Sequence, residues 1–536
     1  MPRAIDRHVG LGFVLIGLAL TLLPGCAPEG RRSSGRGLLV IALDGLRADR
    51  VSGLGYDRLT TPYLDALASD QAVLFDSVLA AAPQLVPAHA ALLTGCDPNL
   101  ARRQVPQWMD ASLDQPWYLP PAAPRLSLAL ATEGWRTLGV FGHGELGPSN
   151  GFTGGFQDVR ETWSLNRAEA GRPGIERGGT ALLQWLRGLD QNDDWFAYLH
   201  AADLDRTWEN WDPLWDNHFV HRPDLRWVPP TGSTEPSLFA LSPSRSSEGS
   251  PTMAIYDARF DGQIRRVDDE LKRLFDKLRR LGRWEQTTIA VVGSFGMQFG
   301  EAGLLCDHGR LSMADLRVPL WLRAPGLGPD AAGLRDSGVA STIDLAPTLL
   351  ELVGIDLPAP MQGRSLVPRM RGEEDPRGVV LASCGIQAGV LVADDDLALE
   401  ITLPNVAPSD ALVRAWYGDD QPRYRMDDTA SAQAAGSERR SYEWRKEPFP
   451  ALDRPRPDLP GTAGLLAASE AWLADAEALR RRVHAPDASV LTLLELEALV
   501  QQARDSTPEP DAAGPASNAE SPADTNSLSS GGDEQP

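Results

Sequence analysis

The sequence predicts a large α/β fold: a mostly parallel sheet flanked by helices, a smaller C-terminal α+β part, and a disordered tail. Three observations carry this reading. Continuous apolar runs alternate with amphipathic helical stretches, the pattern of parallel strands and their crossover helices. The chain has 536 residues, 42% hydrophobic and 23% charged, which suits an extensive core and rules out wholesale disorder. From Asp505 to Pro536 it is Ser, Pro, Ala, Gly and acid without Lys, Arg or aromatics, a composition that cannot bury a core.

At the N-terminus, Arg3, Arg7 and His8 precede an apolar run from Val9 to Leu23 that breaks at Pro24-Gly25. Such a run is marginal as a membrane span but suits the core of a signal peptide. Leu23-Pro24-Gly25-Cys26 resembles the bacterial lipobox, which implies cleavage before Cys26 and lipidation of its thiol. Residues 1–25 are then a lipoprotein signal peptide and 26–37 a tether rich in Gly, Ser and Arg. Acyl chains on Cys26 would hold the mature chain on a lipid bilayer. Ala27 does not resemble an inner-membrane retention signal, so the expected address is the outer membrane of a bacterial cell envelope.

Leu38 to Leu43 reads as a buried parallel strand, and Asp44-Gly45 follows it. A carboxylate there sits where open α/β sheets place their ligands. Thr61-Pro62 opens a helix, Arg125 to Glu133 reads as another, and Arg136 to Phe141 and Trp195 to Leu199 read as strands. Arg259 to Leu281 is the clearest helix, with Phe260, Ile264, Val267, Leu271, Leu274 and Leu278 on one stripe. Thr287 to Val292 and Val318 to Leu322 are further strands. The core domain spans 38–370.

Residues 371–455 hold a smaller sheet, with strands expected within Gly378–Ala393 and Leu397–Leu403. Residues 456–504 are helical, with Leu465, Trp472, Ala476, Leu479 and Val483 on one face and a second face from Val490 to Val500. The disordered acidic tail is 505–536. Lys+Arg number 51 against 73 Asp+Glu, a net charge of -22, which repels a phosphate backbone and excludes nucleic acid as a partner. Four cysteines make no disulfide scaffold at this size.

Three stretches in register resemble the sulfatase branch of the alkaline-phosphatase-like superfamily. The first is Val40-Ile41-Ala42-Leu43-Asp44-Gly45-Leu46-Arg47-Ala48-Asp49, with Thr61-Pro62-Tyr63-Leu64-Asp65-Ala66-Leu67-Ala68. The second is Pro87-Ala88-His89-Ala90-Ala91-Leu92-Leu93-Thr94-Gly95. The third runs from Arg317-Val318-Pro319-Leu320 through Ile343-Asp344-Leu345-Ala346-Pro347-Thr348 to Gln362-Gly363-Arg364-Ser365-Leu366. The resemblance implies the alkaline-phosphatase-like fold and an ester hydrolase in which a nucleophile attacks sulfur or phosphorus beside a divalent cation.

The reacting positions depart from that pattern. Aligned on Pro87-Ala88-His89, the nucleophile position is Leu85, which has no lone pair, and the adjacent Gln84 is no nucleophile. Cys96 lies on the wrong side of the helix and reads as a small buried residue. Asp44 keeps the first metal position, but the later metal pair falls on Ser294-Phe295, a poor cation ligand set. Asp307 offers only a shifted alternative, and His308 better matches the family's separate leaving-group histidine. In His200-Ala201-Ala202-Asp203-Leu204-Asp205 an acid, Asp205, replaces the second histidine of the family's substrate loop. His143 lies near the family's substrate-binding lysine and otherwise reads as a hydrogen-bonded loop histidine. Arg47 and Asp49 read as a brace for the loop after the first strand. Trp208, Trp211, Trp215 and Trp227 either stack on a ligand or cover the sheet edge.

The residual catalytic positions are therefore His89, His308 and His143, with Asp44 as a residual metal position, no cofactor expected, and one Ca or Mg ion as the alternative. The reading that follows is a degenerate, non-catalytic sulfatase-like lipoprotein that binds a ligand or partner at the old pocket. The candidate partner is a sulfated or phosphorylated glycan or another envelope component. An active sulfuric- or phosphoric-ester hydrolase with a divergent metal site is the alternative, and a scaffold acting through its C-terminal segments a third. Replacing Cys26 with alanine is expected to release the protein from membranes or leave it unprocessed. Membrane fractionation with intact-mass measurement checks this, and a Cys26→Ala chain at the mature mass on membranes would refute it.

Overall fold

The computed structural model describes residues 34–98, 119–162, 174–205, 212–220, 251–299, 305–326, 331–358, 361–373, 378–384, 389–402, 438–442, 444–446 and a few positions from 464 to 471. In chain order the elements of the first half are β1 Gly37–Asp44, α1 Pro62–Gln71, β2 Val73–Leu79, α2 Leu85–Thr94, α3 Leu126–Thr132, β3 Arg136–Phe141, β4 Asp158–Glu161, α4 Ile175–Arg187 and β5 Trp195–Ala201. Then come α5 Pro213–Asp216, α6 Pro251–Arg280, β6 Thr287–Phe295, β7 Gln298–Phe299, β8 Leu305–Asp307, α7 Met313–Leu316, β9 Arg317–Arg323, β10 Arg335–Asp336, β11 Ala340–Ser341, α8 Leu345–Val353 and α9 Val367–Met370. The small sheet is β12 Val380–Cys384, β13 Gly389–Ala393, β14 Ala398–Thr402 and β15 Glu438–Tyr442.

The main sheet runs β10-β2-β9-β6-β1-β5-β3-β4, with β11 beside β2. Strand β1 pairs parallel with β5 and β6, and β5 with β3, whereas β9 runs antiparallel between β6 and β2. This is the expected mostly parallel sheet. The small sheet is antiparallel throughout its described strands, in the order β12-β13-β14-β15.

Strand alternation splits the core in two. Leu38, Val40 and Ala42 face a layer that includes Ala88, Ala90 and Leu92 of α2. Leu39, Ile41 and Leu43 face the other layer, with Leu182 of α4 and Phe260, Ile264, Val267 and Leu271 of α6. By the same parity Asp44, Tyr198, His200 and Ser294 fall on the α2 side. Helix α2 is itself almost wholly buried and ends at Gly95, whose φ of 62° is the left-handed closure glycine supplies without strain. The Gly95 carbonyl then accepts the N–H groups of Gln362 and Gly363, each at 2.9 Å, which pins α2 to the last family stretch.

The structure refines several boundaries. Helix α6 begins at Pro251, ahead of its apolar stripe, and β5 continues past Leu199 to carry His200 into the sheet. Strand β2 is hidden in the sequence by Asp76-Ser77, where its register with β9 shifts between Phe75 and Val78. Asp76 is held there by Arg335 at 2.9 Å and Ser77 at 2.6 Å. Of the expected C-terminal helix face, only Leu465, buried, lies among the described residues. The expected signal peptide with Cys26, the expected second helix face and the expected tail lie outside them, as do Trp208, Trp211 and Trp227.

Asp203 shows how a motif position serves the frame. Its carboxylate accepts the Ile175 N–H at the head of α4 at 2.9 Å and the Arg266 guanidinium of α6 at 2.7 Å, all buried. Gly174 leaves it room: a Cβ there would lie 1.6 Å from Asp203 Oδ2. Asp203→Ala should destabilise the protein by about 3–5 kcal/mol, because it strands a buried arginine. Urea unfolding measures this, and a loss within experimental error would show that Arg266 has another adequate partner.

Candidate functional site

The site is built at the C-terminal ends of the central parallel strands, where the register sets Ala42 beside His200 and Asp44 beside Phe295. Gly45, at φ 82°, turns the chain away so that Asp44 points into the protein. The Asp44 carboxylate is 0% exposed. Its Oδ1 lies 2.8 Å from His89 Nε2 and its Oδ2 lies 2.6 Å from His200 Nε2. The Ser294 hydroxyl also donates to Oδ1.

The outer nitrogens fix the tautomers. His200 Nδ1 accepts the Gly142 N–H at 3.0 Å, so its ring proton sits on Nε2 and is donated to Asp44. His89 Nδ1 lies 2.5 Å from the Tyr198 hydroxyl. Burial pushes the Tyr198 phenol well above its ordinary range, and the Asp44 charge adds to this, so Tyr198 is the donor. Burial also lowers the basicity of His89, against the pull of Asp44, and favours the neutral ring. For Asp44 burial alone would raise the pKa, but the two histidines outweigh it and hold the group far below the usual carboxylate range. The result is an ionised carboxylate receiving three hydrogen bonds.

The resemblance implies a divalent cation here, and the ligand atoms of Asp44, His89 and His200 lie within 4.8 Å of one another, so a possible Asp/His site exists. The residues do not fit the ion well. Ca and Mg take six or more oxygens, and this set supplies one carboxylate and two imidazoles. A softer ion accepts imidazole but needs a bare nitrogen. His200 Nε2 carries a proton, because the Gly142 amide occupies the other nitrogen.

The other candidate residues separate from this cluster. Leu85 is the first residue of α2, half-buried and packed on the core. Phe295 is fully buried and tilts against the His308 ring, with centroids 4.3 Å apart. His308 Nδ1 donates to the Pro83 carbonyl at 2.9 Å, and its Nε2 lies 3.4 Å from the Asp205 carboxylate. The acid that replaces a family histidine thus pairs with a neighbouring histidine. His143 begins a short turn and its Nδ1 accepts the Glu145 N–H at 3.3 Å. Arg47 grips Asp49 with two bonds, at 2.8 and 2.6 Å, and the Met297 carbonyl at 2.9 Å, bracing the loop. Cys96 is buried, and burial pushes its thiol up to about 12, which removes it as a nucleophile. The side chain of Asp307 lies outside the described residues.

Motif reading singles out His200 and Ser294 without joining them to Asp44, and it misses Tyr198. The available signal is parity: Tyr198 and His200 alternate with apolar residues on the face of β5 that β1 shares with Asp44. A separate cleft of about 670 Å³ opens at the other end of the sheet, beside Gln71, Glu285 and Arg323. The Arg323 guanidinium is already bonded to the Trp284 and Thr287 carbonyls, at 3.0 and 2.7 Å.

A mostly parallel sheet with a polar cluster at its strand ends and a buried helix presenting the adjacent turn defines an alkaline-phosphatase-like hydrolase fold. The sulfatase family model matches residues 36–355, and the chain belongs to that family. It is 35% identical over 111 residues to the multifunctional alkaline phosphatase superfamily protein PehA of Trinickia caryophylli, 21% of this chain and 21% of that one. It is 35% identical over 107 residues to human N-acetylglucosamine-6-sulfatase, 20% of this chain and 19% of that one. The match therefore spans about a fifth of these curated relatives. A solved 2-O GAG sulfatase shares the fold, with a TM-score of 0.55, 18% identity, and coverage of 83% of this chain and 92% of that one.

Asp44→Ala should destabilise the protein by at least about 3 kcal/mol at pH 7, because three buried donors lose their acceptor. The depressed folded pKa makes this contribution full above the ordinary value of 3.8 and lost progressively below it. The gap between wild type and variant should therefore narrow in acid below that value. Denaturant unfolding across pH measures it, and a gap that widens in acid would contradict an ionised Asp44.

Proposed function

We propose that this chain is a non-hydrolysing member of the sulfatase family that binds a glycan at the altered site while anchored to the cell envelope through lipidated Cys26. One observation carries the reading: His89, His200 and Ser294 stabilise the ionised Asp44 by hydrogen bonds, in the place where an ester hydrolase of this family would use a cation. Leu85 at the nucleophile position supports it, since no side-chain lone pair is available there for attack. The names of the relatives, which include N-acetylglucosamine-6-sulfatase and a 2-O GAG sulfatase, point to glycan as the ligand class. Sulfated and phosphorylated glycans are both within that class.

A second reading, a hydrolase with a softer metal on Asp44, His89 and His200, draws on the closeness of those three ligand atoms. It requires His200 to give up the Gly142 bond or to lose both ring protons. Elemental analysis of the purified protein separates the two. The proposed function expects less than about one-tenth equivalent of Ca, Mg, Mn or Zn, and background hydrolysis of aryl sulfate and aryl phosphate. Leu85→Cys should leave hydrolysis at background. Near-stoichiometric metal that disappears in Asp44→Ala, together with ester turnover, would make the hydrolase the correct reading.

A further inference from the structure

The cleft at the opposite end of the sheet from Asp44 carries a charge arrangement of its own. It has a volume of about 670 Å³ and lies where β2 and β6 begin and β9 ends. Arg323, the last residue of β9, lines it and is 7% exposed. The guanidinium is held still on three sides. Its Nη1 donates to the Trp284 and Thr287 carbonyls, its Nε donates to Gln71 Oε1 at 3.4 Å, and its Cζ lies 4.4 Å from the centre of the Trp284 ring. Its Nη2 has no hydrogen bond among the described residues, and its ion-pair partner, Glu285 Oε2, lies at 3.7 Å, beyond hydrogen-bond reach. Glu285 also lines the cleft and its side chain is 84% exposed, so Nη2 is the nitrogen that faces the cleft. Gln71 Oε1 is occupied by Arg323 and by Trp284 Nε1 at 3.2 Å, which leaves Gln71 Nε2 on the lining as a second donor. Asp70 adds a second carboxylate, and the remaining wall is small and apolar, with Val73, Ala324, Pro325 and Ala331.

We propose that this cleft is a second binding site, for a free α-amino acid with an apolar side chain. The ligand carboxylate accepts from Arg323 Nη2 and Gln71 Nε2, and its ammonium donates to Glu285 and Asp70. The charges on the lining select this class. A simple anion would meet the guanidinium but face two carboxylates, and a simple cation would meet the carboxylates but face a buried guanidinium. A zwitterion satisfies both and brings no net charge. Arg323 Nη2 and Glu285 Oε2 are neighbours that do not bond each other, and an amino acid carries the two complementary charges on a single carbon. A guanidinium already fixed by two carbonyls and a ring loses little side-chain freedom when it takes a carboxylate. The small apolar wall gives the side chain a place out of water. The site shares no residue with the Asp44 cluster, so it stands or falls separately from glycan binding there.

The test is calorimetric titration of the full chain at neutral pH with L-leucine, L-leucinamide and N-acetyl-L-leucine. L-leucine should bind with a Kd of about 1 mM or tighter. The amide, which has no carboxylate for Arg323, and the N-acetyl form, which has no ammonium for Glu285 and Asp70, should each bind about ten-fold or more weakly. Replacing Arg323 would also strand the Trp284 and Thr287 carbonyls, so the variant of choice is Asp70→Asn with Glu285→Gln, both on exposed side chains. It should leave Tm unchanged, weaken L-leucine by about ten-fold or more, and leave N-acetyl-L-leucine no weaker than before. No binding of L-leucine overturns the inference. Equal binding of the amide or of the N-acetyl form overturns it, because one of the two charges is then not read. Unchanged L-leucine affinity in the double variant overturns it as well.

Discussion

A carboxylate buried at the end of a central strand has to be compensated, and the surroundings of Asp44 are organised by that demand. Transfer of an ionised group out of water costs several kcal/mol unless it is hydrogen-bonded or paired. Three hydrogen bonds from β5, β6 and α2 meet the cost, and each histidine donor is in turn oriented by a further group. Gly142 sets the His200 proton and Tyr198 sets the His89 lone pair. The network therefore fixes the distance between the sheet and α2 as well as the state of the acid. Loosening any member would leave a buried polar group unmet, which keeps the site rigid.

Other residues of the motif stretches brace the frame in the same way. Asp203 joins α4 to α6, Asp205 meets His308, and Arg47 grips Asp49. Phe295, aligned in the sequence with a metal position, lies with its ring against His308. Residues whose types would bind or transfer charged groups in an ester hydrolase bind one another here. Gln84 stands apart because its buried amide has no partner among the described residues.

The fold was legible wherever one face pattern ran uninterrupted. The Leu38–Leu43 run and the α6 stripe announce a buried strand and an amphipathic helix, and the structure contains both. Strand β2 was not legible, because Asp76-Ser77 breaks its apolar run, and only the register shift and Arg335 make those residues tolerable. The expectation of a missing nucleophile rests on Leu85, which the structure places at the start of α2, packed on the core. The hydrogen-bond network could not, because it joins residues far apart in sequence whose approach depends on strand order. His200 also looks like a residue that ends a strand, and only the waiting acceptor on Asp44 allows it to continue one.

The placement of β1 has a consequence for how the chain is made. The first strand among the described residues sits in the middle of the sheet, where Gly37 pairs with Trp195 on one side and Thr287 on the other. During synthesis neither neighbour exists when β1 emerges, and its continuous apolar run has nothing to pair with until most of the core has followed. Contacts so distant in sequence form slowly and leave unpaired strand edges exposed to aggregation. Sheet closure therefore comes late, after Thr287 to Phe295 is available, and β1 must be shielded until then.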